Sequence, residues 1–306
     1  MQKIKPLIVI AALVFATTVF ADVELRQEHT FDAQPGQKVV IDVSFHRVDV
    51  VVEPGSTVHA QVEISATSSS SKAERAVEEL RPVFEEKGDT LIIRSTRKRG
   101  WSWWNGNIKG RVTVTMPPDL DLLVDSSSGS VTIEGDLGDA DVECDASSGS
   151  LTIRGTMRSL SADASSGSIR ATVDRPLEKF NANTSSGSIR LDGGAYEATA
   201  DASSGSINLF GLRGNARIGT SSGSITGHWD SIPAGASIDA GASSGSVTLK
   251  LPAGTEIKGS ADTSSGGIRS DFPGNFKRSS ATFSGGADAV KVMVDTSSGS
   301  VKILAD

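Results

Sequence analysis

The stretch DASSGSIRATVDRPLEKFNANTSSGSIRLDGGAYEATADASSGSINLFG (Asp163–Gly211) writes Asp-Ala-Ser-Ser-Gly-Ser, or a close copy, three times. Ser-Gly-rich repeats suit a flexible linker, a row of nucleophile motifs, or the corner of a coiled scaffold. The residues between the repeats decide. Aligned on the Ser-Ser-Gly step, the chain repeats at Gly129, Gly149, Gly167, Gly187, Gly205, Gly223, Gly245, Gly266 and Gly299, at 18–22 residues except for a last interval of 33. A sustained period near twenty marks a solenoid, because each copy is one unit that buries its apolar face only against its neighbours.

The aligned columns are those of strands. One residue past the step that follows each glycine stands an aliphatic: Val131, Leu151, Ile169, Ile189, Ile207, Ile225, Val247, Ile268 and Val301. Two residues further the column is again mostly aliphatic, as in Ile133, Ile153, Leu191 and Leu209, with a polar residue such as Thr132, Arg170 or Asn208 between. Apolar and polar residues in alternation give a strand with one buried face. A second short strand precedes each turn, as in Val142–Asp145, and its inward column is small: Cys144, Ala162, Ala182, Ala200, Ile218, Ala240, Ala261 and Val294. Small inward residues imply a narrow section with two or three faces per coil. Disorder is excluded, and the fold class is all-β: a parallel β-helix, right-handed by the usual rule for parallel crossovers, with the left-handed form as the alternative.

Three divisions of the chain follow. Residues 1–21 have the layout of a secretory signal peptide: Lys3 and Lys5, an apolar run from Leu7 to Phe20, and small residues Val19 and Ala21 at a cleavage site. An uncleaved anchor is the alternative, since the apolar run approaches spanning length. Residues 22–118 read as an irregular β region with one short helix, a cap for the solenoid of residues 119–306. In that cap Ser71 and Glu74 form a capping box, Ala73, Val77 and Leu80 share one helix face, and Pro82 ends the helix. Val83–Ser95 reads as a hairpin turning at Gly88-Asp89. The chain is acidic, with net charge −7, which argues against general nucleic-acid binding. Cys144 is the single cysteine, so no intrachain disulfide forms, and its column places it in the core.

TMPPDLDLLVDSSSGSVTIEGDLG (Thr115–Gly138), followed by serial SSGSI coils, resembles the bacterial putative-adhesin family of β-strand-repeat proteins of unknown function. The resemblance covers most of the mature chain and rests on a structural motif. It implies a β-helix in the cell envelope and carries over no functional residue.

Candidate chemistry is thin beside that frame. Gly219–Gly223 and Gly241–Gly245 satisfy G-x-S-x-G, but that motif means a nucleophile only between a strand and a helix with a His and an acid in reach. Sister repeats replace the leading Gly with Asp or Asn, so the motif reads as a turn. Asp125, Asp145, Asp163, Asn183, Asp201, Asp262 and Asp295 occupy one column, where each caps its turn by accepting a backbone N–H two residues on. Bound Ca²⁺ is the rival explanation of this ladder, but the G-G-x-G-x-D repeat is missing, and no metal or cofactor is assigned. The least repeat-like stretch, Arg94–Arg111, packs Arg97, Lys98 and Arg99 beside Trp101, Trp103 and Trp104. It reads as a hairpin or loop around Asn105-Gly106, either packed over the solenoid end or exposed as a contact for anionic lipid or glycan. The last coil, Ser300–Asp306, reads as an open edge for β-augmentation, unless Lys302 and Asp306 guard it. The irregular interval between Gly266 and Gly299 holds a loop or an unmarked coil.

These readings converge on a non-enzymatic, exported envelope protein, in the periplasm or at the cell surface. It serves as an adhesin or structural interaction module. Its partners are envelope glycan, anionic lipid, an envelope protein, or a second copy meeting it end to end; nucleic acid is excluded. A polysaccharide-active enzyme on a β-helix scaffold is the alternative.

Overall fold

The computed structural model describes residues 23–67, 70–96 and 107–306. Residues 1–21 therefore lie outside it, as do Arg97, Lys98, Arg99, Trp101, Trp103 and Trp104. Among the described residues there are 27 strands and one helix, in two sheets of 13 strands (sheet A) and 14 strands (sheet B). No described helix is long and apolar enough to cross a membrane.

Each coil runs up one strand of sheet B, turns at the corner and runs along one strand of sheet A, so there are two faces per coil. Asp121–Ser126, for example, lies in sheet B and is followed by Val131–Asp136 in sheet A. The following coils pair Asp141–Ala146 with Leu151–Thr156, Ser159–Ala164 with Ile169–Val173, and Leu177–Thr184 with Ile189–Asp192. Then come Ala195–Ala202 with Ile207–Leu212, Asn215–Thr220 with Ile225–Trp229, and Ser237–Ala242 with Val247–Leu251. Neighbouring coils are parallel and in register, with Leu151 opposite Ile169 and Cys144 opposite Ala162. The two inward columns of aliphatic and small residues meet between the sheets. Val131, Leu151, Ile189, Ile207, Ile225 and Val247 are fully buried. The thiol of Cys144 is buried too, and burial pushes its pKa up.

The corner is part of the ladder. Ser147 N–H donates to Ser126 O at 3.1 Å, Ser148 N–H to Ser127 O at 3.1 Å, and Leu151 N–H to Ser168 O at 2.9 Å. Coil-to-coil bonding thus continues round the bend, and the backbones stack closely at the glycine. A Cβ on Gly187 would stand 1.9 Å from Gly167 O, and one on Gly205 1.7 Å from Gly187 O. Close approach, with no positive φ, is what requires Gly at this step. In the coil Lys38–Val43/Arg47–Val52 the corner is Ser44-Phe45-His46, and buried His46 stands next to Gly129 in the column. Its ring lies over Gly110, and Nε2 is 3.1 Å from Ser95 Oγ.

The anomalous Gly227 in an apolar column has a local cause. The ring of buried Trp229 occupies the space where a Cβ on Gly227 would sit, at 2.7 Å, and its Nε1–H donates to Gly214 O at 2.9 Å.

Both ends depart from sequence order. Lys38–Val43/Arg47–Val52 abuts Asp121–Ser126/Val131–Asp136, while the later coil Thr90–Ser95/Ile108–Met116 lies on its far side. The sheets therefore run without a break across position 118, where a cap was expected to meet a solenoid. At the other end the final coil, Val290–Thr296/Val301–Ala305, slides between Ser237–Ala242/Val247–Leu251 and Ile257–Thr263/Ile268–Ser270. Eleven coils result, about 48 Å along the stack at the usual strand spacing. The expected open edge at Ser300–Asp306 is largely covered, because Val301–Ile303 has a partner strand on each side.

Antiparallel strands cover both sheets at the first end and sheet B at the other. Val23–Asp32 and Thr57–Ala66 extend sheet A beyond Ile108–Met116, and Val83–Lys87 extends sheet B in a hairpin turning at Gly88-Asp89. His29 stacks on Phe84 at 5.2 Å, joining the two sheets at that end. The helix Ser71–Glu79 packs on Val23–Asp32 and Thr57–Ala66, burying Ala73, Ala76 and Val77. Its N-cap is Ser70, one residue before the expected Ser71, with Ser70 Oγ accepting from Ala73 N–H at 3.3 Å. The interval between Gly266 and Gly299 holds the antiparallel strands Asn275–Phe276 and Ser280–Ser284, which cover the far edge of sheet B, together with the first strand of the inserted coil. Such coverings blunt edges that would otherwise pair with other chains.

Candidate functional site

Two outward surfaces are built by the register. The first follows the corner on the sheet B side. Asp42, Asp125, Asp145, Asp163, Asn183 and Asp201 are successive register partners, then Gly219 and Gly241, then Asp295 and Asp262. Because the last coil is inserted, Asp295 precedes Asp262 in space. The column borders a groove of about 1060 Å³, with the first Ser of each corner on its other side and Ala or Thr on its floor. Six aspartates line it, and no Lys or Arg does.

These aspartates do not cap the turns as expected. The amide two residues on donates to the neighbouring coil instead, as Ser147 N–H does to Ser126 O. Where the next residue is Ser or Thr, it points inward and caps the corner. Gly129 N–H donates to Ser126 Oγ at 3.1 Å, and Gly187 N–H to Thr184 Oγ1 at 3.0 Å. Thr184, Thr220, Thr263 and Thr296 also donate from Oγ1 to the O of Gly167, Gly205, Gly299 and Gly245, at 2.8–3.0 Å. Alternation along the strand leaves the Asp side chains on the outer face.

Stacked carboxylates at about 4.8 Å repel by roughly 0.9 kcal/mol per pair even at the dielectric of water. Two local responses are visible. Asn183 donates from Nδ2 to Asp163 Oδ1 at 2.8 Å, and the two glycines interrupt the column. Burial, then the neighbours Asp163, Glu143 and Asp125, push the pKa of Asp145 up; burial and Asp42 do the same to Asp125. Elsewhere on sheet B, Asp141 is held below the usual range by its hydrogen bond from Arg158. A group whose folded pKa is raised contributes stability that is present below its unfolded pKa and lost as pH rises through the folded pKa. Asp145→Asn is therefore expected to melt roughly 2 °C higher than the parent at pH 7, on about 1 kcal/mol of relieved repulsion. The difference should vanish near pH 3, below the ordinary Asp value of about 3.9. Melting curves at both pH values check this, and an unchanged melting temperature at pH 7 refutes it. Among the described residues no group of three or more His, Cys, Asp and Glu is placed to hold a metal ion.

The second surface is the outer face of sheet A. Thr132, Thr152, Arg170, Arg190, Asn208, Thr226, Thr248, Lys302 and Arg269 form one column, and Glu134, Arg154, Thr172, Asp192, Phe210, His228, Lys250 and Leu304 the next. Arg190 grips Asp192 with two bonds of 2.7 Å, and its guanidinium lies 4.8 Å from the centre of the Phe210 ring. His228, the one histidine within the repeats, bonds through Nε2 to Asp306 Oδ2 at 2.7 Å, and this hydrogen bond holds Asp306 below the usual carboxylate range. Ser222 and Ser244 of the G-x-S-x-G steps occupy ordinary corners, bonded to the coils below as their sisters are: Ser222 N–H donates to Ser203 O at 2.9 Å and Ser244 N–H to Ser221 O at 2.8 Å.

The Trp and basic cluster falls outside the described residues. Of its flanks, Thr90–Ser95 lies in sheet B and Ile108–Met116 in sheet A. Sequence reasoning found the Asp column and the strand faces of Thr, Arg and Asn as a repetitive surface, but missed the groove and the pairing of the cations. Their signal was present in the polar columns, which become neighbours only once the register is known.

Among solved structures, a putative lipid binding protein from Parabacteroides distasonis is similar in fold, with 16% identity, 91% of this chain and 96% of that chain covered, and a TM-score of 0.53. A putative adhesin from Bacteroides fragilis matches at 13% identity over 91% and 96%, with a TM-score of 0.43. One from Parabacteroides merdae matches at 14% over 91% and 95%, at 0.44. A search of curated proteins finds no match. The Toastrack DUF4097 family model matches residues 38–304, the whole stack but its terminal residues, and the chain belongs to that family.

Proposed function

We propose that this protein is a non-enzymatic, exported component of the bacterial cell envelope that works as an interaction module, engaging a repetitive partner such as glycan along its solenoid. One observation carries the reading. The register converts a repeated sequence into straight outward columns of Asp, Ser, Thr and Arg that run across successive coils at a constant spacing. Such columns match a partner that also repeats. The corners that carry the serines are bonded coil to coil as a frame. The amino-terminal segment directs export to the periplasm or cell surface. Trp101, Trp103 and Trp104, with Arg97, Lys98 and Arg99, form a second contact for envelope partners.

A glycan array read for both retention and turnover tests the proposal. The mature chain is expected to stay bound to one or more envelope-type glycans and to release no shortened product. Released product would favour a polysaccharide-active enzyme, and no retention on any glycan would overturn the reading.

A further inference from the structure

We infer that the outer face of sheet A, from Ile169–Val173 to Ile268–Ser270, binds an acidic glycan, a polysaccharide carrying carboxylates along its chain. This rests on the interaction-module reading above and names the face and the ligand class.

Charge is unevenly divided between the two faces of a chain whose net charge is −7. Sheet B presents the Asp column with Asp141, Glu143 and Glu197 beside it, balanced in part by Lys179, Arg217, Lys258 and Lys291. This part of sheet A presents Arg170, Arg190, Lys250, Lys302 and Arg269. Its strands offset them with Asp192, held by Arg190, and Asp306 at the edge is taken up by His228 and lies 3.7 Å from Lys250. Arg170, Lys302 and Arg269 are exposed, and none of them makes an ion pair among the described residues.

The register arranges these cations in two neighbouring pairs. Arg170 adjoins Arg190, and Lys302 adjoins Arg269. Asn208, Thr226 and Thr248 fill the same column between the pairs, which stand four strand spacings, roughly 19 Å, apart. Arg190 already holds Asp192, so Arg170 and the Lys302–Arg269 pair are the cations that ask for an anion from outside. Guanidinium matches carboxylate in a planar, two-bond fit. The amide and hydroxyls between can bond sugar hydroxyls, with Phe210 alongside as a half-buried apolar platform.

A lipid surface fits this face less well. The exposed large apolar side chains of the described residues are Val51, Val83, Tyr196, Phe276 and Met293, and none stands on these sheet A strands. Nothing here would enter a bilayer.

The test uses the full mature chain and two immobilised probes with one backbone: polygalacturonate and its fully methyl-esterified form. Binding to polygalacturonate is expected to be at least tenfold tighter than to the ester and to weaken with added salt. Arg170→Gln/Lys302→Gln/Arg269→Gln, exposed positions whose replacement should leave the melting temperature unchanged, is expected to lose at least tenfold in affinity. Lys179→Gln/Lys291→Gln, exposed on the outer face of sheet B, should keep it. Equal binding to acid and ester, or an unaffected triple variant, overturns this inference and leaves the glycan reading standing. So does failure on polygalacturonate with retention on other glycans. Loss on every glycan with retention on anionic phosphatidylglycerol vesicles overturns both.

Discussion

Deleting residues 287–306 is expected to collapse more than the coil it removes. In a simple stack each repeat touches only its neighbours, so losing the last one leaves the rest standing. Here the last coil is not at the end. Val290–Thr296 lies between Ser237–Ala242 and Ile257–Thr263, and Val301–Ala305 lies between Val247–Leu251 and Ile268–Ser270. Its deletion removes buried Val290, Val292, Val294, Val301 and Ile303, on the order of 10 kcal/mol of apolar burial at about 2 kcal/mol per side chain. It also leaves Ile257–Ser270 with no parallel partner. Hydrogen exchange on the truncated chain should show amides of Ile257–Ser284 unprotected, while those of Asp141–Thr220 stay slow. A peptide of residues 287–306 added in trans should restore protection. Full protection of Ile257–Ser270 without the peptide would refute the account.

Gly187→Ala is expected to be among the more damaging single-methyl changes in the chain's repeat. The added Cβ would stand 1.9 Å from Gly167 O, and the obstacle is backbone held in the ladder by Ser186 N–H to Ser165 O at 3.0 Å. No flexible side chain can swing away. Overpacking commonly costs about 1–3 kcal/mol, and a backbone clash belongs at about 3 kcal/mol or beyond. That loss corresponds to a fall of roughly 5 °C in melting temperature for a chain of this size. Gly267→Ala is the control, since it follows a corner glycine yet has nothing within 4 Å of its Cβ position. It should stay within about 0.5 kcal/mol of the parent. Equal melting temperatures for the two variants would show that the corner glycine has a role other than close approach.

What could be read beforehand, and what could not, divides along physical lines. The period, the strand alternation and the inward column from Cys144 to Val294 follow from the residues themselves, since burial acts on each side chain separately. The hairpin at Gly88-Asp89 is local chemistry and was equally legible. The Asp column was legible as a column, but its bonding was not. Asp163 and Ala164 point to opposite faces, and only the path of the corner decides that Thr184, one residue on from Asn183, reaches the Gly187 amide. The break between Gly266 and Gly299 announced an irregularity without announcing an insertion. Gly227 looked like a lapse in an apolar column until Trp229 was seen to fill the space.

By itself, then, the sequence determined the unit: a strand, a Ser-Ser-Gly-Ser corner and a second strand, with one apolar face that must be stacked. Apolar burial and the close approach at glycine are written into each repeat, and every copy states them again. The order of the units in space was decided only by the tertiary structure, because any coil offers nearly the same backbone ladder to any other. Near-equivalent partners leave order to the ends, where inserted coils and antiparallel caps fit in one arrangement. The same register decided the surfaces, bringing Arg170 beside Arg190 and Lys302 beside Arg269, a pair 33 residues apart in the chain.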